Sequence, residues 1–405
     1  MRISTRNTLL LCAIGALNTA PAQAWNTLDG QTPIVIGHRG ASGYLPEHTL
    51  ASYAKAIDMG VAFIEPDLVM TKDGVLIARH EPILDGTTDV ASKFAASRMS
   101  TRMLDGVMTT AYFADTFTLE EIKTLRAIQP RADRDQSHNG LYEIPTLNEV
   151  IALAKEKGVG IYPELKHSTY MSVQAQANGF SATHFEDTLV STLHAAYGNS
   201  RSAPVFIQSF ETANLQYLNG QTDIRLVQLM DAWDVNADGS MDVSVPPYDR
   251  PYDFVVANDP RTFADLLTDS GLAFVSSYAD GIGPWKPYLL KTVADGVDRT
   301  GDGIVDARDR LVVGSTGIVE MAHDKGLLVH TWTFRDDSIG YQLGYATPDE
   351  EYRAFYALGV DGLFSDHPDT ARAALAAAAV PEPSTYAMLL AGLGLVAVVV
   401  ARRRA

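Results

Sequence analysis

Three short apolar runs between residues 34 and 81 each meet titratable side chains where they end. Ile34-Val35-Ile36-Gly37 stops at His38-Arg39-Gly40. A second run opens at Val61 and carries Glu65 and Asp67, separated by one residue. A third, Val75 to Ala78, stops at Arg79-His80-Glu81. Between the first two lie Pro46-Glu47-His48-Thr49 and a helix-like stretch, Leu50 to Met59; the turn Thr71-Lys72-Asp73-Gly74 precedes the third. Buried-looking strands that end on polar groups, alternating with helices, predict one parallel α/β barrel, in which strand ends carry the chemistry.

The spacings have a chemical meaning. Side chains two apart on a strand share a face, so Glu65 and Asp67 converge. Two inward carboxylates at one level repel unless something neutralises them, and a hard divalent cation does so. His38 and His80 end different runs; if those runs lie side by side, two imidazoles flank the carboxylates. Such a pair can supply a general base and a general acid near neutral pH. Arg39 offers a planar fork of donors suited to phosphate. Any one of these residues alone is usually a satisfied polar group or a solvated charge. Together in one strand-helix-strand-strand unit they point to phosphoryl-ester chemistry.

His38-Arg39-Gly40, Pro46-Glu47-His48-Thr49, Glu65-Pro66-Asp67, Thr71-Lys72-Asp73-Gly74 and His80 resemble the signature of the glycerophosphodiester phosphodiesterase family, in its longer periplasmic bacterial branch. The resemblance runs from about Pro33 to about Leu375. It implies a TIM (β/α)8 barrel with a small insertion, and a divalent cation, calcium or magnesium, at the site. It also implies that Glu164 is the third metal carboxylate and that Lys166 faces the phosphate. In Gly160-Ile161-Tyr162-Pro163-Glu164-Leu165-Lys166 these two again share a strand face. Glu81 stands where the family usually has Asp, and Arg335 where it often has Asn.

The 405 residues suffice for one barrel with insertions, and the formal net charge of −17 leaves no electrostatic footprint for nucleic acid. Residues 1–24 read as a signal peptide, with Arg2 and Arg6, an apolar centre from Leu9 to Leu17, and Ala22-Gln23-Ala24 before the cleavage point. Cys12 lies inside this leader, so the mature chain can form no disulfide. At residues 380–405, Val380-Pro381-Glu382-Pro383-Ser384, an apolar run from Tyr386 to Ala401 and Arg402-Arg403-Arg404 resemble the PEP-CTERM sorting tail processed by an exosortase. An ordinary transmembrane anchor is the alternative. Losing Arg2, Arg6, Arg402, Arg403, Arg404 and Glu382 with these two ends takes the net charge to −21. The address implied is the periplasm, outer surface or extracellular matrix of a Gram-negative bacterium.

The body, residues 25–379, is expected to carry insertions at about 85–141, 231–262 and 295–312. The first reads as a cover over one side of the site; in it Thr118 and Glu121 form a helix-capping signal. Leu147 to Lys157 reads as an amphipathic helix ended by Gly158. Val205 to Phe210 and Ile224 to Met230 are assigned as the fifth and sixth strands, and Gln208 as a substrate contact or a core polar group. Leu327 to Phe334 is the seventh strand, whose Trp332 the resemblance places near the glycerol moiety, and Asp361 to Asp366 the eighth. The two later insertions resemble dockerin-type calcium loops that would pin them structurally. Asp234, Asn236, Asp238 and Asp242 surround Gly239 in one, with Val245 where an acid is wanted; Asp298, Thr300, Asp302, Asp306 and Asp309 surround Gly303 in the other.

The leading expectation is an exported, metal-dependent phosphodiesterase acting on glycerophosphodiesters. Glu65, Asp67 and Glu164 would hold the metal, His38 and His80 trade protons, and Arg39, Lys166, Gln208 and Trp332 contact substrate. The competing expectations are a non-catalytic calcium-binding matrix protein, and a phospholipase or phosphomonoesterase on the same barrel.

Overall fold

The computed structural model describes residues 25–337 and 344–379. The expected signal peptide and sorting tail lie outside the described residues. Eight strands run parallel: β1 Ile34–His38, β2 Phe63–Glu65 continuing as Asp67–Met70, β3 Gly160–Ile161 continuing as Glu164–Leu165, β4 Phe206–Ser209, β5 Arg225–Met230, β6 Gly281–Pro284, β7 Leu328–Phe334 and β8 Gly362–Ser365. Each pairs with the next, and β8 pairs with β1, so the ring closes as a TIM barrel. Pro66 interrupts β2 and Pro163 interrupts β3, because proline has no N–H for the ladder. Their carbonyls still accept, from Glu164 N and Gln208 N, both at 3.0 Å.

Two strand assignments from the sequence need correction. The Val75–Ala78 run is no barrel strand: Leu76–Ala78 pairs antiparallel with the end of β2. The turn at residues 71–74 is too short for a parallel crossover, which needs a dozen or more residues. The strand missed instead is β6. Gly-Ile-Gly-Pro offers one apolar side chain and no period to read. Val205–Phe210 and Ile224–Met230 therefore belong to the fourth and fifth strands.

Alternation of side chains builds the barrel in layers. Ile36, Tyr162, Phe206, Val227 and Phe364 form the packed interior, with Ile34, Phe63, Leu328 and Trp332 at its margins. Two residues further along each strand, toward the C-terminal mouth, stand His38, Glu164, Gln208 and Asp366. The other side of the sheet packs on helices. Leu147–Lys157 is started by a reciprocal Thr146–Glu149 capping box and stopped by Gly158 at φ 71°. Thr118 and Glu121 make the same box at Leu119–Ile122.

Three two-stranded sheets stand apart from the barrel sheet, one at each stretch expected to hold an insertion. Residues 85–141 include the hairpin Ser100–Leu104 with Val107–Ala111. Residues 231–262 include the strand pair Asp234–Val235 with Met241–Asp242 and the helix Tyr252–Ala257. The acidic stretch 295–312 is framed by Leu290–Val293 pairing with Leu311–Ser315. Buried Arg310 ties the two acidic loops together, donating to Thr292 Oγ1 at 2.7 Å and to Ala237 O at 3.3 Å.

The acidic loops close on themselves. Asp238 accepts from Ser240 N, and Asn236 donates to Ser240 Oγ. Asp242 accepts from Ser244 N, and Asp234 from Val235 N. In the second loop Asp298 accepts from Gly301 N, Gly303 N and the Thr300 hydroxyl, and Asp302 pairs with Arg308. Asp309 accepts from Arg299 N, Thr300 N and Asp306 N. Among the described residues, neither loop gathers three acidic side chains within reach of one ion. No described helix is long and apolar enough to cross a membrane.

Candidate active site

The register of the barrel sets the site. His38 stands opposite Glu65, Asp67 opposite Glu164, and Glu164 opposite Gln208. Oxygens of Glu65, Asp67 and Glu164 lie within 4.8 Å of one another, and all three residues are buried. Burial and the neighbouring carboxylates hold Glu65 well above the usual carboxylate range and Glu164 at about 8. Burial acts upward on Asp67 too, but the hydrogen bond from His48 and the nearby cations outweigh it and hold Asp67 low. Asp67 Oδ1 and Gln208 Oε1 are buried and, among the described residues, have no hydrogen-bond partner. Three crowded carboxylates and orphaned buried oxygens are the donor set a hard cation such as calcium or magnesium takes.

Arg39 and Lys166 flank this set. Arg39 sits at φ 56°, which turns its backbone N–H onto Glu65 Oε2 at 2.7 Å and its guanidinium onto Glu47 at 3.0 Å. Next to it Gly40 takes φ 90°; a Cβ there would lie 2.6 Å from the Ser52 backbone. Lys166 Nζ lies 2.9 Å from Glu164 Oε1 and 3.2 Å from His80 Nε2. Gln208 Nε2 donates to Glu65 Oε1 at 3.1 Å, so it braces a carboxylate of the set. Trp332 is fixed by Nε1 donating to Gly283 O at 2.7 Å.

Both candidate catalytic imidazoles are oriented by carboxylates. His38 Nδ1 donates to Asp366 Oδ1 at 2.5 Å, which fixes the proton on Nδ1 and leaves Nε2 as an acceptor. His80 Nδ1 donates to Glu81 Oε1 at 2.9 Å. Burial lowers both to about 4, helped at His80 by Arg39 and Lys166 and opposed at His38 by Asp366. Both therefore rest neutral at pH 7.

Several residues of this constellation were given no role from the sequence. Asp366 is held by Arg134 from the 85–141 segment at 2.6 Å and by Arg335 at 3.0 Å, so a buried ion network stands behind His38. His48 donates from Nε2 to Asp67 at 2.9 Å and accepts from Tyr53 OH at 2.8 Å. His167 donates to Glu81 at 2.8 Å and to Asp105 at 2.6 Å. Burial would lower its pKa, but the two carboxylates raise it to about 10, so it is an imidazolium at neutral pH. The signals that could have found them are the His48 in an already noted motif and the Asp366 ending an already assigned strand.

These groups line two connected spaces. A recess of about 80 Å³ is lined by His38, Glu65, Gln208, Leu229 and Phe364. A cleft of about 450 Å³ adjoins it. Arg39, His80, Glu164, Lys166, Phe210 and Trp332 line both. The hairpin of residues 100–111 and the segment 247–252 wall the outer cleft. The 231–262 segment, expected only to be pinned in place, thus helps to shape the site.

Comparison with known proteins bears on this geometry. Residues 38–370 match the glycerophosphoryl diester phosphodiesterase family, and residues 379–404 the PEP-CTERM protein-sorting motif. A glycerophosphodiester phosphodiesterase of Arabidopsis thaliana is 35% identical over 373 residues, covering 88% of this chain and 90% of the relative. One from Haemophilus influenzae is 30% identical over 393 residues, covering 89% and 96%. Among solved structures, a chain from Silicibacter pomeroyi assigned as a glycerophosphoryl diester phosphodiesterase has a TM-score of 0.55 at 22% identity, covering 87% of this chain and 98% of its own. An Oleispira antarctica phosphodiesterase in complex with the product sn-glycerol-3-phosphate has a TM-score of 0.50 at 18% identity, covering 86% and 99%.

Proposed function

The chain belongs to the glycerophosphoryl diester phosphodiesterase family, and from that premise we propose that it hydrolyses glycerophosphodiesters to glycerol 3-phosphate and an alcohol. One observation carries the reading: Glu65 and Glu164, which cluster with Asp67, line a single recess at the barrel mouth together with both carboxylate-oriented imidazoles. Glu65, Asp67 and Glu164 would hold a divalent cation. When bound it would neutralise their crowding and supply Lewis acidity toward a phosphoryl oxygen. Arg39 and Lys166 would stabilise the charge that grows on the phosphorus centre.

His38 and His80 divide the proton work. One takes a proton from the attacking water as its oxygen bonds to phosphorus, and the other gives a proton to the leaving alkoxide as its bond to phosphorus breaks. The elements of water end up divided between the two products. His38 has the stronger positioning, since Asp366 fixes its tautomer and stabilises the imidazolium once formed. His80 rests neutral, but a phosphodiester anion beside it favours its protonated form.

The leader pattern and the sorting motif support export, with the tail transiently or permanently membrane-anchored and cut by an exosortase-like enzyme. Mass spectrometry of the termini of the protein recovered from its native host checks this: loss of residues 1–24 and cleavage near Val380 are expected, and an intact leader refutes export.

A substrate panel with and without chelator tests the main reading. Release of glycerol 3-phosphate, abolished by chelator and restored by calcium or magnesium, is the expected result. A folded His38→Ala or His80→Ala enzyme that kept most of its turnover would remove the acid–base assignment.

A further inference from the structure

We propose that His167, clamped between Asp105 and Glu81, is a positioning residue for the reaction: it holds Glu81 on Nδ1 of His80 and so fixes the direction in which His80 presents Nε2. The role rests on the phosphodiesterase reading and adds to it the device that orients the second imidazole. His80 needs one. Among the described residues its ring has two partners, Glu81 Oε1 at 2.9 Å and Lys166 Nζ at 3.2 Å. Lys166 is already paired with Glu164 at 2.9 Å, which leaves Glu81 to set the ring.

Glu81 alone could not do this. Its side chain is more than a third exposed, and a free carboxylate arm of that length samples several rotamers. Here both of its oxygens are engaged, Oε1 by His80 and Oε2 by His167 Nε2 at 2.8 Å. His167 directly follows Lys166 and precedes the helix Ser168–Ala177, at φ 51° and ψ 48°, a left-handed backbone uncommon outside glycine. Its Nδ1 donates to Asp105 Oδ2 at 2.6 Å. With both ring nitrogens donating to carboxylates, the ring carries two protons. Burial pulls its pKa down, but the two carboxylates hold it at about 10. Each end of the clamp is therefore a charge-assisted bond.

Asp105 is held as well. It stands in the turn of the hairpin of residues 100–111, at φ 43°. Arg102 of the same hairpin pairs with Asp115, and it donates to Tyr170 Oη at 3.1 Å and to Gln174 Oε1 at 2.6 Å. Tyr170 and Gln174 both belong to the helix Ser168–Ala177. The hairpin is thereby docked along the helix that starts beside His167, which keeps the Asp105 carboxylate within reach of the ring. His167 lines the outer cleft but not the recess, and among the described residues its side chain bonds only to Asp105 and Glu81. It acts on the chemistry through Glu81, not by touching the reacting atoms.

Kinetics of the full-length, metal-loaded protein on glycerophosphocholine separate this role from a merely structural one. His167→Gln should lower kcat by about fivefold and leave KM within about twofold, because the lost restraint acts on proton transfer and not on binding. Glu81→Ala should lower kcat further. Adding His167→Gln to Glu81→Ala should then change kcat by less than about twofold, since the path to His80 is already cut. An unchanged kcat in His167→Gln, a change confined to KM, or effects of the two substitutions that multiply, in variants whose circular dichroism matches the wild type, overturns the role. The wild-type protein gives a readout that needs no variant to fold. Nitrogen NMR of His167 should show both ring nitrogens protonated at about pH 8, and a neutral ring there overturns the clamp. Failure of the wild type to hydrolyse glycerophosphocholine, glycerophosphoethanolamine and glycerophosphoglycerol alike overturns the phosphodiesterase reading, and this role with it.

Discussion

His38 shows how much a single residue borrows from others. The role proposed for it depends on one proton position, and Asp366 sets it at 2.5 Å while Arg134 and Arg335 pair with Asp366. Asp366→Asn keeps the shape but removes the carboxylate that selects the tautomer and stabilises the imidazolium. Turnover should fall by about 100-fold or more with KM little changed, measured by steady-state kinetics on a variant whose circular dichroism matches the wild type. Near-native turnover would mean that Asp366 only packs. Nine residues of the candidate site were legible from sequence, by strand-end motif, by i, i+2 spacing or by family resemblance: His38, Arg39, Glu65, Asp67, His80, Glu164, Lys166, Gln208 and Trp332. Asp366 was not, since its partner lies 328 residues away and only barrel closure joins them. His167 was not either, because a lone imidazole outside any motif carries no period to read. Glu81 is a different case. Its departure from the family's Asp was visible, but its use was not: the longer side chain reaches His80 and His167 at once.

At the scale of elements, the hairpin of residues 100–111 matters because it is latched. Asp105, between its strands, holds His167, which holds Glu81, which holds His80. His167→Gln removes both charge-assisted bonds of the imidazolium. Hydrogen exchange across residues 100–111 should then speed by about tenfold while β1 and β5 stay protected, and turnover should drop by a smaller factor. Exchange unchanged in the hairpin would show that the latch carries no weight. The acidic loop at 298–309 has its own keystone. Asp309 is buried and accepts from three backbone N–H groups. Asp309→Ala leaves them without an acceptor and should lower the urea midpoint; an unchanged midpoint would mean that water replaces it. Helices were the most readable elements, because caps such as Thr146–Glu149 and a stop at Gly158 are local signals. Short barrel strands were the least readable, as β6 shows: its place is fixed by neighbours on both sides, not by its own four residues.

The whole barrel has a pH dependence written into its interior. His330 is buried beside Tyr162, whose hydroxyl donates to its Nδ1 at 2.8 Å, and burial, against the pull of Asp361, lowers its pKa from 6.5 to about 4. A depressed imidazole is neutral when folded, while the unfolded chain takes up its proton below about pH 6.5. The stability it contributes is therefore complete above the unfolded value and is lost as pH falls toward 4. Between pH 7 and pH 5 the loss from this one group is about 2 kcal/mol. Urea titrations at the two pH values should show wild type losing that much more than His330→Gln, and identical losses would clear His330 of the effect. Closure of the ring also sets an order in time. β8 is the last strand to arrive and the only one that can zip β1 to β7, and Asp366 follows it immediately. A polypeptide that has not yet delivered β8 holds Glu65, Asp67, Glu164, His38 and His80, yet has an open seam and an unoriented His38. On the proposed function, turnover would therefore wait until nearly the whole barrel has been synthesised, and release of the last strand would be the step that switches it on.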